Sequence, residues 1–167
     1  MYSFCSLSSG DQIPDHDIRI VRLEKANDDA LKILQEYYEA INVVVRDSSE
    51  AIQKIIDDPS SGVWLAYQNK QVVGCVVLRT LSSIPFASEC KRLYVQPTSR
   101  GRGIAELLLN ALEQFAVDKR FKWIYLDSYD DLKAAIALYK KRGYMECDRY
   151  NDNPQATVFL CKNIEIK

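Results

Sequence analysis

The stretch ECKRLYVQPTSRGRGIAELLL, Glu89–Leu109, decides how this 167-residue chain is read. ECKRLYV has the composition of a strand, and Pro97, which cannot donate to a ladder, stops it. From a start near Arg102, Ala105, Leu108, Leu109, Leu112, Phe115 and Ala116 form one apolar stripe, the strongest helix signal of the chain. The junction between strand and helix carries Arg100, Gly101, Arg102 and Gly103. Glycines there let a backbone approach a bulky anion closely. The free N–H groups of a first helical turn, together with the helix dipole, bind such an anion. Two arginines add charge-assisted hydrogen bonds. The construction suits a phosphate. Taken alone, R/Q-x-x-G-x-G/A arises by chance in about one chain of this size in five to ten, so the strand-to-helix context carries the inference.

Two familiar phosphate binders are excluded. A dinucleotide fingerprint needs a small residue where Glu106 stands and a glycine turn directly after the strand, whereas Gln96 to Arg100 intervene here. Asp127 lies at a suitable distance for a ribose-binding acid, but that coincidence does not rescue the motif. The P-loop ending G-K-[ST] is absent.

Working outward, WIYLDS (Trp123–Ser128) is a short, nearly continuous apolar strand of the kind buried on both faces. The strand-helix-strand unit from Glu89 to Ser128 predicts a right-handed crossover between parallel neighbours. Upstream, alternation from Ile18 to Leu23 predicts a first strand. Asn27 caps a helix with apolar positions Leu31, Leu34, Tyr38 and Ile41. Asp47, with Glu50 three residues on, starts a second helix that ends before Pro59. GVWLAYQ and QVVGCVVL flank Asn69-Lys70 as a hairpin. Downstream come a helix with Leu132, Ala135, Ile136 and Tyr139 on one face, a stop at Gly143, and strands around YMECDRY and ATVFLCK. The order β-α-α-β-β-β-α-β-α-β-β is α+β or mixed α/β. It forms a single domain over residues 17–167, after a loose lead-in at 1–16.

Composition narrows the function. Lys plus Arg number 22 against 23 Asp plus Glu, a net charge of -1, which argues against non-specific contact with nucleic acid or anionic lipid. No run approaches the roughly 18 apolar residues of a membrane span. His16 is the single histidine, so no His-based zinc cluster forms and a Ser or Cys triad would depend on a residue near the N-terminus. Cys5, Cys75, Cys90, Cys147 and Cys161 are odd in number, far apart and without a C-x-x-C pair. A metal site, a redox dithiol or a disulfide framework is not indicated, and Cys75 and Cys90 read as small buried hydrophobes. The N-terminus lacks a secretory pattern, so a reducing, cytoplasmic location is expected.

ECKRLYVQPTSRGRGIAELLL resembles the acetyl-CoA-binding motif of the GNAT superfamily of N-acetyltransferases. AAIALYKKRGY (Ala134–Tyr144) is similar to the helix that follows it in that family, with an alanine-rich face, a Leu-Tyr pair and a Gly-aromatic ending. The resemblance spans roughly Val63 to Lys162, and two motifs in the right order are far more specific than either alone. It implies a central mixed sheet of six to seven strands flanked by about four helices. It also implies transfer of the acetyl group of acetyl-CoA to a primary amine by direct attack. The acceptor would be a small molecule, an amino acid derivative or a peptide. No metal, nucleic acid or membrane takes part, and a homodimer is left open. The alternative is a non-catalytic acyl-CoA-binding regulatory domain.

Site roles follow from the same resemblance. Arg100, Gly101, Arg102, Gly103, Ile104 and Ala105 would cradle the pyrophosphate. The backbone of Leu93 and Val95, at a bulge, would pair with the pantetheine arm and polarise the thioester carbonyl; an N–H aimed at a developing oxyanion is worth a few kcal/mol. Tyr139, whose phenol has a pKa of about 10, would supply a proton to the departing thiolate. Read from the residues alone, it is a core aromatic with its hydroxyl at the rim. Glu89 is the candidate proton acceptor, directly or through water, against the plainer reading of an exposed strand-end carboxylate; Asp127 and water itself are the alternatives. Lys140, Lys141 and Arg142 complement a helix dipole. Leu132 stands where many members carry an asparagine that contacts the cofactor arm, which puts one hydrogen bond in question. The loop RYNDNP, with Tyr150 and Asn153, borders the acceptor pocket. No cysteine sits beside a histidine, so a covalent enzyme intermediate is not expected.

Overall fold

Hydrophobic alternation along two central strands divides the core into two layers. On β2 (Gly62–Gln68), Val63 and Leu65 point to one side while Trp64 and Ala66 point to the other. On β3 (Gln71–Thr80), Cys75 and Val77 join the first group, and Val76 and Leu78 the second. The computed structural model describes residues 17–165, so the expected lead-in at 1–16, His16 included, lies outside the described residues. The remaining elements are β1 (Ile18–Arg22), α1 (Asp28–Ala40), α2 (Ser49–Asp57), β4 (Ala87–Val95), α3 (Ile104–Asp118), β5 (Trp123–Ser128), α4 (Lys133–Lys141), β6 (Met145–Glu146) and β7 (Val158–Asn163). One seven-stranded sheet runs in the order β1-β2-β3-β4-β5-β7-β6. Only β4 and β5 are parallel neighbours, joined through α3. The fold is α+β, a mixed sheet with four helices, as the element order predicts.

Helices α1 and α2 cover one face through Ala30, Ile33, Leu34, Tyr38, Ile52 and Ile56. Helix α3 covers the other with Ile104, Leu108, Leu109, Leu112 and Ala116, joined by Tyr139 of α4. Asn27 caps α1, its Oδ1 accepting the Ala30 N–H at 2.9 Å. The helix phase differs from the expected stripe. Leu31 is exposed, Ile33 takes its place in the core, and Ile41 is the C-cap.

Other expectations shift for local reasons. Ser48, not Asp47, caps α2, its Oγ accepting the Ala51 N–H at 3.1 Å. Helix α3 begins at Ile104 rather than near Arg102, because Gly101 and Gly103 both hold the left-handed conformation, at φ 76° and 75°. Strand β5 is buried on one face only, through Ile124, Leu126 and Ser128, while Trp123, Tyr125 and Asp127 are half-buried. Strand β6 is two residues long, because Asn151 and Asn153 turn back onto Asp127 and the Arg149 guanidinium ties the loop to the Asn151, Asn153 and Ala156 carbonyls.

Candidate active site

Strands β4 and β5 pair only where Ala87, Ser88 and Glu89 face Trp123, Ile124 and Tyr125. Beyond Glu89 they part, so the side of β4 that faces β5 has no ladder from there on. A bulge at Arg92 and Leu93 sets which groups line that gap. Cys75 pairs with Tyr94 and Val77 with Lys91, leaving two residues opposite Val76. Arg92 takes φ 58° to make the extra step. The Gln96 N–H donates to the Val73 carbonyl at 2.8 Å. By strand alternation the peptide groups of Tyr94 then face β3, and those of Leu93 and Val95 face the gap.

The gap leads directly to the N-terminus of α3. Gly103, the N-cap, provides no side-chain cap, so the N–H groups of the first turn keep their capacity for an outside acceptor. A Cβ built on Gly101 or Gly103 meets nothing within 4 Å, leaving an open cradle beside those donors. This geometry fits a diphosphate. Arg102 is exposed at the rim. Arg100 is partly spent on the protein itself. Its Nε donates to the Val95 carbonyl at 3.0 Å, and its guanidinium lies 6.0 Å from the Tyr94 ring centre.

On the α3 side of the gap stands Tyr139, buried and edge-on to Tyr144 with ring centres 5.7 Å apart. Burial first, then Cys90, Tyr37 and Asp127, pushes its phenol well above the ordinary value, so it stays protonated at physiological pH. Two of those neighbours, Tyr37 and Asp127, come from the opposite face of the sheet. Leu132, at the N-cap of α4, offers no side-chain hydrogen bond. Arg142 at the other end does more than complement a dipole. It docks on Glu113 at 3.0 Å, where Lys162 arrives at 2.9 Å.

The α1 side of the gap is polar. Lys91 Nζ lies 2.7 Å from Glu89 and 3.1 Å from both oxygens of Asp127, bridging the parted strands. Their side chains are 15%, 2% and 7% exposed respectively. Glu89 is therefore a buried, ion-paired carboxylate and not an exposed strand end. Its Oε1 meets Lys91 and, at 3.5 Å, Arg79. Asp127 also accepts from the Asn151 and Asn153 amides, at 2.7 and 3.1 Å. Burial alone would raise its carboxyl, but Lys91 and the two amides outweigh that and hold it below the usual carboxylate range. A carboxylate so stabilised is a poor proton acceptor, which counts against Asp127 as the base. Next to this cluster, Arg92 Nε lies 2.5 Å from Asp47 Oδ2, and the Tyr38 hydroxyl donates to the same oxygen at 2.6 Å. The Gln155 amide donates to the Asn42 carbonyl at 3.0 Å, joining the α1–α2 and β6–β7 loops.

The sequence profile of the acetyltransferase (GNAT) family matches residues 27–144. The chain belongs to that family. As a GNAT protein it is an acyltransferase. An uncharacterized N-acetyltransferase of Schizosaccharomyces pombe is 28% identical over 152 residues, covering 84% of this chain and 90% of the relative. N-acetyltransferase 8B of Rattus norvegicus is 28% identical over 107 residues, which is 62% of this chain but 48% of that protein. Among solved structures, a GNAT acetyltransferase of Staphylococcus aureus Mu50 superposes with a TM-score of 0.75 at 20% identity, covering 89% of this chain and 99% of that one. The PaiA N-acetyltransferase of Thermoplasma acidophilum, in complex with coenzyme A, reaches 0.70 at 16% identity, covering 87% and 98%. At these identities the likeness to solved structures concerns the GNAT fold.

The structure thus brings Glu89, Leu93, Val95, Tyr139 and the loop from Arg100 to Ala105 around one opening. Tyr150 and Asn153 of the β6–β7 loop pack beside it, on Tyr125 and Asp127 respectively. Lys91, Arg92, Asp47, Tyr37 and Tyr38 join them, none of which the sequence marks as a site residue: Tyr38 reads there as a core position and Asp47 as a helix start. The signal for two of these was present. Consecutive Lys91 and Arg92 interrupt the alternation of a half-buried strand, which is how a bulge is written.

Proposed function

We propose that the chain is an N-acetyltransferase that moves the acetyl group of acetyl-CoA directly to a primary amine. The observation that carries this reading is the convergence of three features on one gap: peptide groups of Leu93 and Val95 that no neighbouring strand pairs (the Val95 carbonyl being held by Arg100), an uncapped helix start with an open glycine cradle, and the buried phenol of Tyr139. Gly101, Gly103 and the N–H groups at Ile104 and Ala105 would hold the diphosphate, with Arg100 and Arg102 at its edge. Leu93 and Val95 would extend β4 with the pantetheine amides. The Leu93 N–H would polarise the thioester carbonyl in a site with little water, where a fixed donor is worth most.

The amine forms the new C–N bond as the C–S bond breaks, and the sulfur takes a proton. Tyr139 donates it. Burial keeps the phenol protonated before transfer, so it can hydrogen-bond the departing sulfur and hand over its proton, which it regains from water as Glu89 releases the amine's proton. The proton leaving the amine goes to Glu89, through water. Glu89 Oε1 is committed to Lys91 and Arg79, while Oε2 makes no hydrogen bond to another described residue. The thiols Cys75, Cys90, Cys147 and Cys161 are all free, which fits a reducing, cytoplasmic setting. No helix among the described residues is long and apolar enough to cross a membrane.

The test is thiol release from acetyl-CoA across a panel of primary amines, with Tyr139→Phe alongside. A catalytic role predicts a loss of roughly a hundredfold in kcat with the acetyl-CoA KM little changed. Thermal stabilisation by acetyl-CoA without thiol release for any amine would leave the regulatory-domain reading standing and remove this one.

A further inference from the structure

We propose that the acceptor carries a carboxylate next to its reactive amine, as an α-amino acid does, and that Arg92 recognises it. This rests on the acetyl-transfer reading and adds the acceptor's chemical class.

Arg92 is built into the gap by its backbone. A bulge at a non-glycine residue with positive φ is costly and is retained where it re-aims a side chain. Here it turns Lys91 and Arg92 toward the same side, that of α1. The next residue is Leu93, whose peptide faces the opening, so an anion on Arg92 would sit beside the acyl-transfer position. The guanidinium side chain is 12% exposed and stays charged. Burial would lower its pKa, but Asp47, followed by Tyr38 and Tyr37, outweighs that.

The decisive detail is unspent hydrogen-bonding capacity. Arg92 Nε is committed to Asp47, 2.5 Å away, whereas Nη1 is buried without a hydrogen-bond partner, so the end of the guanidinium is left to be filled. Buried donors left in that state are uncommon and call for a partner. A guanidinium presents a planar fork whose natural complement is a carboxylate. Asp47 prevents the cation from being an isolated buried charge before an acceptor arrives, but leaves this fork incomplete.

The surroundings match the rest of such a ligand. Glu89 is met by Lys91 and Arg79 through Oε1, while its Oε2 makes no hydrogen bond to another described residue and is placed to accept one from an incoming ammonium. Tyr150, close enough to Glu89 and Asp127 to feel their charge, also has a buried hydroxyl without a partner. A cationic fork at one end and an accepting carboxylate at the other complement a zwitterion. The Gln155–Asn42 contact roofs the two loops that flank this space, favouring a small ligand.

The test compares L-amino acids with their carboxamides as acceptors, using thiol release from acetyl-CoA, in the unmodified protein, Arg92→Gln and Arg92→Lys. The acids should exceed the carboxamides in kcat/KM by at least about tenfold, because a site built for a charged group rejects the analogue lacking it. Arg92→Gln should erase that preference through the acceptor KM, with the acetyl-CoA KM unchanged; Arg92→Lys should keep part of it. Equal turnover of acids and carboxamides by the unmodified protein overturns the proposal, as does an equal loss on both in the Gln variant. If the variants do not fold, the acid-to-carboxamide ratio of the unmodified protein decides alone. Transfer to amines without a carboxylate preference defeats this inference only. Absence of thiol release with every amine defeats the acetyl-transfer reading itself.

Discussion

Replacing Asp127 by Asn tests whether the cluster across the parted strands is held by charge. The substitution keeps the side-chain shape and one acceptor oxygen. It removes the charge that Lys91 meets at 3.1 Å from both oxygens, and turns an amide donor toward the Lys91, Asn151 and Asn153 donors. A hydrogen bond to a charged group contributes about 1.5–3 kcal/mol. Lys91 retains Glu89 at 2.7 Å, so the cost stays below the roughly 3–5 kcal/mol of an abandoned buried ion. The expected loss at pH 7 is about 2–3 kcal/mol. With a urea m-value of about 2 kcal/mol/M, the midpoint falls by about 1–1.5 M. The pH dependence separates charge from packing. Asp127 is held below its unfolded value of about 3.9. Its stabilisation is therefore complete above that value and disappears as pH falls through the folded pKa. Urea titrations followed by far-UV circular dichroism, from pH 7 to the lowest pH with a cooperative transition, should show the two proteins converging below about pH 4. A gap independent of pH, or one under about 0.5 kcal/mol at pH 7, would refute the reasoning.

Gly103→Val should lower stability by about 1–2 kcal/mol, because φ is 75° there. The larger effect should be a raised acetyl-CoA KM, since the new side chain enters the open cradle; an unchanged KM would separate that glycine from phosphate binding. Gly74→Ala places a Cβ 2.8 Å from the Tyr94 carbonyl oxygen, against backbone. A loss of about 1–3 kcal/mol is expected on thermal unfolding, from forced displacement next to the bulge. Asn27→Ala removes the cap of α1 and should cost about 1 kcal/mol, with kcat unaltered because the cap lies at the far end of the helix from Tyr37 and Tyr38.

The gap itself was only partly legible. Local chemistry announced the α3 junction, because a Gly-rich loop before an amphipathic helix is a contiguous signal. The same is true of the Asn27 cap and the hairpin at Asn69-Lys70, where both residues adopt positive φ. Strand β5 was misjudged as doubly buried because its apolar run is real but its outer residues, Trp123 and Tyr125, are half-buried beside a loop. Whether a face is covered depends on what packs there, and a run of apolar residues does not record it. Asp47 shows the same limit. Its spacing to Glu50 satisfies a capping pattern, yet Ser48 does that work, and the carboxylate is drawn instead to a guanidinium 45 residues away by number. A local rule loses when a buried cation on another element needs a counter-charge more.

The bulge at Arg92 joins the two halves of the site. Without the extra residue, strict alternation would send Arg92 to the α3 face, the side of Cys90 and the apolar core, away from Asp47. It would also shift the peptide groups beyond it by one step, aiming Tyr94 rather than Leu93 and Val95 at the opening. On the proposed reading, a single backbone irregularity sets both which N–H groups would meet a donor substrate and which cation would meet an acceptor. On that reading, two binding requirements depend on the strain at this one residue. Deleting either Arg92 or Leu93 to restore a regular ladder should therefore abolish thiol release, even if the strand pairs better. A deletion variant that remains folded and active would show that the irregularity is incidental.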